Sequence, residues 1–162
     1  MPEPNPMGSA FFGRPGGDMQ EGGAHISVYL VPCWDGRLAV FEIAEPEQFR
    51  GRWLPWTVLP FRANPWEIAS ALADEWCGVG LADLSLVDVM SFDLPGEGWE
   101  LAVIFRAECA AAPVGDNRRR PVFVDTGEID AIGSFDPVDL ERWVEGGGRR
   151  EEGAAGGGGL VF

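Results

Sequence analysis

The chain has 162 residues, the size of a single domain, and 46% of them are hydrophobic. This content excludes a wholly disordered polyelectrolyte, because enough apolar side chains are present to build a core. The formal net charge is −14, and all twelve basic residues are Arg. Since such a surface repels the phosphates of nucleic acids and anionic membranes, we expect neither DNA nor a membrane as a partner.

Glycine is concentrated at the two ends of the chain. Residues 1–23 contain six of the 23 Gly and residues 145–162 contain eight, whereas residues 24–144 carry most of the hydrophobic residues and a net charge of −11. Gly-rich segments without hydrophobic periodicity behave as flexible linkers. We therefore expect a flexible N-terminal arm (1–23), a folded domain (24–144) and a Gly-rich tail (145–162).

The cysteines and the N-terminal sequence bear on where the protein works. Cys33, Cys77 and Cys109 are odd in number and have no metal-ligand spacing, so neither a disulfide scaffold nor a zinc site is expected. The N-terminus lacks the basic and apolar regions of a secretory signal, and no apolar run reaches the roughly 18 residues of a membrane span. These features predict a cytoplasmic protein.

The first half of the domain predicts a hairpin, an interrupted strand and a helix. Residues 25–33 and 38–43 have strand composition and flank an Asp-Gly turn, while Pro55 interrupts the extended segment 52–60, as at an edge strand or a strand end. His25, which opens the first strand, is expected at the surface or an edge.

A capping pattern marks the start of the helix. Asn64, Pro65 and Glu67 occupy the positions of a cap, a first helical residue and a capping-box acid. Ile68, Leu72 and Trp76 follow at intervals of four and predict one buried face, and Gly78 with Gly80 ends the helix.

The second half predicts another hairpin, a short strand and a second helix. Residues 81–92 and 99–109 form the hairpin, a loop covers 110–120, a strand covers 121–125, and Asp136-Pro137 starts the last helix, with Leu140, Trp143 and Val144 inward. Strands outnumber helices and are joined mainly as hairpins. The predicted class is α+β.

This order of elements, the Leu59-Pro60 pair and the segment Ala71–Leu81 resemble the Nudix hydrolases over residues 24–144. In that family a Gly-rich loop follows Leu-Pro, and a helix reads Ala-Leu-Arg-Glu-Leu-x-Glu-Glu-x-Gly-Leu, whose glutamates hold Mg²⁺ on a diphosphate while water attacks. The resemblance implies a mixed sheet with flanking helices. In a gapless alignment, however, the two metal-binding Glu fall on Cys77 and Gly78, so the box is degenerate.

Three acids near this helix are candidate catalytic and Mg²⁺-binding residues: Glu67, Asp74 and Glu75. Glu67 and Asp74 are about two turns apart and can lie on one side of the helix, as a relocated metal site requires. The alternative is structural. Glu67 caps the helix, and Asp74 with Glu75 faces solvent.

Candidate ligand-binding residues are one aromatic and several cationic side chains. Arg62, Arg118, Arg119 and Arg120 can meet a phosphate, although the last three also suit a solvated loop. Four Trp lie between residues 53 and 76, and most are expected in the core. Trp66, at the second helical position, is the one chosen as a ring for a nucleotide to stack on.

The chain finishes on three apolar residues, Leu160, Val161 and Phe162, which suit a docking peptide for a protein partner or another copy of the chain, or have no role.

Two functions remain. The first is a non-catalytic Nudix-like module that binds a nucleotide or a protein and docks through its tail. The alternative is a Mg²⁺-dependent Nudix-type hydrolase of a nucleoside diphosphate derivative. Loss of both box glutamates favours the first.

Overall fold

The computed structural model describes residues 24–47, 50–94 and 98–146. The predicted N-terminal arm and the end of the tail, including the docking residues Leu160, Val161 and Phe162, lie outside the described residues. The strands are β1 (Ala24–Trp34), β2 (Arg37–Ile43), β3 (Gly51–Trp53), β4 (Trp56–Val58), β5 (Leu81–Leu94), β6 (Gly98–Cys109) and β7 (Arg119–Val124), and the helices are α1 (Pro65–Leu72) and α2 (Pro137–Val144).

The strands form one mixed sheet, which confirms the predicted α+β class. β1 lies near its centre and runs parallel to β6, with Ala24 opposite Trp99 and Cys33 opposite Glu108. β5 pairs antiparallel with β6, β4 pairs with β1, and β2 carries β3 and β7. A parallel pair needs a long connection, and here the chain between β1 and β6 supplies strands, a helix and β5.

Local sequence explains two turns in the first half of the domain. Asp35 and Gly36 join β1 to β2 with φ values of 54° and 74°, the conformation that the Asp-Gly pair favours in a tight hairpin. Pro55 divides the extended segment 52–60 into β3 and β4, which pair with different strands. The carbonyl of Pro55 accepts the N–H of Leu30 at 2.9 Å, so the break remains attached to β1.

The helix α1 begins as predicted but ends differently. The side chain of Asn64 accepts the N–H of Trp66 at 2.9 Å, and Pro65 is the first helical residue. After Leu72 the chain continues as a π-helical turn, Ala73–Cys77, rather than as a regular α-helix. The wider turn lets the adjacent residues Trp76 and Cys77 both face inward, where they are 5% and 0% exposed.

The sheet separates two apolar cores. α1 and its π turn cover one face, where Val28, Phe41 and Phe105 are buried, and α2 covers the other, where Ile104 and Trp143 are buried. The side chain of Asp136 caps α2 by accepting the N–H of Asp139 at 2.9 Å. Among the described residues, no helix is long and apolar enough to cross a membrane.

Two local predictions are wrong. His25, expected at the surface, is 1% exposed, because β1 lies inside the sheet and its first residues pair with β6. Arg119 and Arg120, expected in a loop, form the start of β7, because this strand begins two residues before Pro121 and pairs with Glu42 and Ile43 of β2.

Candidate functional site

A cavity of about 630 Å³ lies between α1 with its π turn, the strands β3 and β4, and the approach to β7. Its lining combines a predominantly apolar wall with a few charged groups. It includes three tryptophans and four charged residues: Trp53, Trp56, Trp76, Glu45, Glu75, Arg118 and Arg119. A concave, largely apolar site with a small number of convergent polar groups is the usual form of a small-molecule site.

The aromatic wall is held in place by ring contacts. Trp53 and Trp56 are stacked, with ring centroids 6.4 Å apart and planes inclined by 22°, and Tyr29 stacks on Trp56 with ring centroids 6.3 Å apart. Trp76 meets Phe41 edge to face at 5.6 Å. Trp76 is buried, whereas the partly exposed rings of Trp53 and Trp56 offer apolar surface to a planar ligand at little cost in side-chain entropy, because their neighbours fix them.

Arg119 is committed to the wall of the cavity. Its guanidinium lies 4.4 Å from the ring centroid of Trp76, and its Nη2 is 3.1 Å from Oε2 of Glu75. Its Nη1 also donates to the main-chain carbonyl of Glu75 at 3.4 Å. The pair neutralises the one helix carboxylate that lines the cavity.

A tight turn positions Arg118, an exposed residue of the cavity lining. Oδ1 of Asp116 accepts the N–H groups of Arg118 and Arg119 at 2.8 and 2.9 Å, and these bonds, the one from Arg118 first, lower the pKa of Asp116. Gly115, with φ of 67°, lies under the turn against the carbonyl of Arg119. Within the described ranges, Arg118 forms no salt bridge, so its guanidinium is available to an anion.

The other three predicted ligand residues lie outside the cavity lining. Arg120 is paired with Glu42 and is 74% exposed. Arg62 lies in the loop before α1, with φ of 67° and its guanidinium 5.3 Å from the ring centroid of Phe61. Trp66 is 45% exposed and packs edge to face on Phe105 at 4.8 Å. The structure therefore brings together Arg118 and Arg119, but not Arg62, Trp66 or Arg120.

The three predicted metal-binding acids do not converge. Glu67 and Asp74 are exposed and do not line the cavity, whereas Glu75 lines it and is paired with Arg119. Over residues 24–47, 50–94 and 98–146, no three His, Cys, Asp or Glu side chains are grouped so as to hold a metal ion. These residues do not fit a magnesium centre, which needs several oxygen ligands around one ion.

Comparisons with known proteins identify the fold. No protein-family model and no curated protein sequence matches the chain. The MutT NUDIX hydrolase of Burkholderia pseudomallei superposes with a TM-score of 0.60 at 14% identity, covering 73% of this chain and 96% of its own. The MutT protein of Methanosarcina mazei Go1 gives 0.62 at 14% identity, covering 77% and 94%. The chain has a Nudix fold. The predicted resemblance is confirmed at the level of the fold.

The end of the helical segment offers a second way to align this chain with the Nudix motif, besides the gapless alignment of Ala71–Leu81. The helical segment ends at Gly78, whose φ of 68° is the left-handed conformation of a helix-ending glycine, two residues before Gly80. If Gly78 is the box glycine, the apolar Leu of the box falls on buried Ala73 rather than on exposed Glu75. The positions to which the resemblance assigns metal binding would then be Glu75 and Trp76, of which only Glu75 is a carboxylate.

The aromatic wall is the part of the site that the sequence indicated least precisely. The cluster of Trp residues between positions 53 and 76 was the available signal, and it contains both the wall and Trp66. Trp53, Trp56 and Trp76 line the cavity because two short strands and the π turn aim them at one space. The prediction of Trp66 rests on the exposure expected at the start of a helix, and exposure alone does not indicate which rings line a common cavity.

Proposed function

We propose that this domain is a non-catalytic nucleotide-binding module, with the base against the tryptophan wall and the phosphate at Arg118. The observation that carries the proposal is the cavity itself. It joins the stacked pair Trp53 and Trp56 to an Arg without a salt bridge among the described residues. Such a site suits a ligand with a planar ring at one end and an anion at the other.

The charges of the cavity leave one cation for an anionic ligand despite the acidity of the chain. Two acids, Glu45 and Glu75, and two arginines line the cavity, so its formal charge is zero. Arg119 holds Glu75 in an ion pair, and Arg118, which forms no salt bridge among the described residues, is the cation left for a phosphate. Stacking on an aromatic side chain is worth about 1–3 kcal/mol per base, and a hydrogen bond to a charged group about 1.5–3 kcal/mol. Both contributions are needed for a useful affinity.

Among the described residues no group of side chains fits a metal centre, which favours binding over hydrolysis. Attack on a diphosphate needs cations to neutralise its oxygens, and those cations need carboxylate ligands. Cys77 and Gly78 occupy the metal positions in one register of the box, and Trp76 occupies one of them in the other. The remaining acid, Glu75, is engaged by Arg119.

Calorimetric titration with ADP tests the proposal. An ADP compounds hydrolase with the same fold superposes with a TM-score of 0.55 at 16% identity, covering 75% of this chain and 74% of its own, so ADP is a reasonable probe. Arg118→Gln should weaken ADP binding by about tenfold, the lower end for a charged hydrogen bond, because the group is exposed. Arg120→Gln is the matched control and should leave binding unchanged. Equal binding by both variants would contradict the proposed phosphate contact.

Hydrolysis is the alternative, and one observation favours it. Glu75 lies in the cavity and, in the helix-end register, at a metal-binding position of the box. The test is release of monophosphate from ADP-ribose with Mg²⁺ or Mn²⁺, for the parent chain and Glu75→Gln. We expect background rates from both. Turnover that Glu75→Gln abolishes would replace the binding proposal with the hydrolytic one.

A further inference from the structure

Two buried thiols meet where the π turn approaches the end of β6. Cys77 closes the π turn and is 0% exposed, and Cys109 is the last residue of β6 and is 4% exposed. Both belong to the apolar core beneath α1, and their side chains are hydrogen bonded to each other. The pair is therefore a contact of the folded chain between residues far apart in sequence.

The backbone around the pair holds this contact. Leu81, four residues after Cys77, is opposite Cys109 in the pairing of β5 with β6. The N–H of Ala110 donates to the carbonyl of Gly80 at 2.9 Å, and the N–H of Val114 donates to the carbonyl of Cys77 at 2.9 Å. The segments that carry the two thiols are thus connected on both sides of the pair.

The third thiol is near in the sheet but faces the other core. Cys33 lies opposite Glu108, the residue before Cys109, in the pairing of β1 with β6. Its side chain belongs to the core covered by α2, and its Sγ donates to the carbonyl of Val31 at 3.7 Å. The sheet therefore separates Cys33 from the Cys77–Cys109 pair, although its backbone is adjacent.

We propose that Cys77 and Cys109 are a peroxide-oxidisable dithiol that closes to a disulfide in the folded protein. The thiolate of Cys109 attacks one oxygen of hydrogen peroxide, the O–O bond breaks, hydroxide leaves, and Cys109 becomes a sulfenic acid. The sulfur of Cys77 then attacks the sulfenic sulfur, the S–O bond breaks, and water leaves. Overall, two thiols are oxidised to one disulfide and one peroxide is reduced to two waters.

Exposure distinguishes the two sulfurs, because Cys109 is 4% exposed whereas Cys77 is 0% exposed, so peroxide reaches Cys109 first. The hydrogen bond between the two thiols lowers the pKa of Cys109, and the same bond and burial raise the pKa of Cys77, in keeping with that order. The thiolate is the nucleophilic form of cysteine. Cys109 is therefore the attacking residue and Cys77 the resolving one. This chemistry does not depend on the proposed nucleotide binding.

Peptide mapping of the intact folded chain tests the dithiol. The protein is treated with hydrogen peroxide, unfolded in an alkylating agent and digested. We expect two of the three thiols to be lost, a Cys77–Cys109 crosslinked peptide, and alkylated Cys33. In Cys33→Ala the same crosslink should form. A crosslink that includes Cys33 as often as Cys77, or three alkylated thiols at a peroxide level that oxidises free cysteine, would overturn the proposal.

Single variants test the order of the two steps. In Cys77→Ala, Cys109 should stop at the sulfenic acid, which dimedone traps, and in Cys109→Ala no dimedone adduct should form on Cys77. Circular dichroism verifies that each variant is folded before oxidation. As a second measurement, the parent chain is oxidised in denaturant, where the crosslink should lose its preference for Cys77 with Cys109. A preference that persists in the unfolded chain would contradict an origin in the fold.

Discussion

Asp88 is a buried carboxylate that attaches α2 to the sheet. It lies at a bulge of β5, and its side chain is 5% exposed. Its oxygens accept the N–H of Val89 at 2.8 Å, the indole N–H of Trp143 at 3.1 Å and Nη2 of Arg142 at 3.1 Å. Asp88→Ala removes the acceptor for the last two, and both belong to α2.

The loss of folding stability expected for Asp88→Ala is the sum over these contacts. Leaving the indole N–H of fully buried Trp143 without an acceptor costs about 1–3 kcal/mol. Arg142 is 25% exposed and keeps Asp139, so its lost pairing adds only about 0.5–1 kcal/mol. The free energy of unfolding should therefore fall by about 1.5–4 kcal/mol. For a domain of this size, the corresponding fall in Tm is about 10 °C.

Urea unfolding, followed by tryptophan fluorescence and circular dichroism, measures this loss. Asp88→Asn keeps an oxygen for Trp143 and should lose about half as much as Asp88→Ala. Asp93→Ala, an exposed change on the same strand, is the control and should stay within about 0.5 kcal/mol of the parent. If Asp88→Ala is as stable as Asp93→Ala, the carboxylate does not hold α2, and the reasoning is refuted.

Two further predictions concern Tyr29 and Gly115. Burial raises the pKa of Tyr29, and the charge of Glu100 and the hydrogen bond to it raise it further. The free energy of unfolding should therefore fall as the pH rises above about 10, the pKa of tyrosine in the unfolded chain. Because the chain has a single tyrosine, the folded protein should show no tyrosinate absorbance at pH 11. Titration near pH 10 with the fold intact would contradict this. Gly115→Ala places a Cβ 2.3 Å from the carbonyl oxygen of Arg119. This variant should lower the free energy of unfolding in urea by about 1–3 kcal/mol and should weaken ADP binding. The control is Gly127→Ala, whose Cβ meets nothing within 4 Å and should change neither quantity. Equal stability of the two variants would show that the turn tolerates the Cβ.

The parts of the fold that depend on residues close together in the sequence could be predicted. Asn64-Pro65 and Asp136-Pro137 start both helices where expected, because capping is decided within one turn of chain. The Asp35-Gly36 turn was predictable for the same reason. The parallel pairing of β1 with β6, and with it the burial of His25, depends on residues 75 positions apart, for which no local pattern exists.

The candidate site likewise combines features that the local sequence indicates with features that depend on residues from other elements. Four Trp in one stretch and three consecutive Arg indicated a ring-and-anion site, but their roles depend on partners from other elements. Arg119 is fixed by Glu75 and Arg120 by Glu42, which leaves Arg118 for a ligand. The π turn also places the adjacent residues Trp76 and Cys77 inward together, which the interval of four residues in the sequence does not indicate.

The most direct measurement of the central claim is calorimetric titration of the chain with ADP in EDTA and in excess Mg²⁺. A site formed by the Trp53–Trp56 wall and Arg118, without a metal centre, should bind one ADP per chain with dissociation constants that agree within about threefold, or about 0.7 kcal/mol. Binding seen only with Mg²⁺ would contradict this account, because it would place a metal ion in the site. Failure to bind ADP in either buffer would contradict it as well.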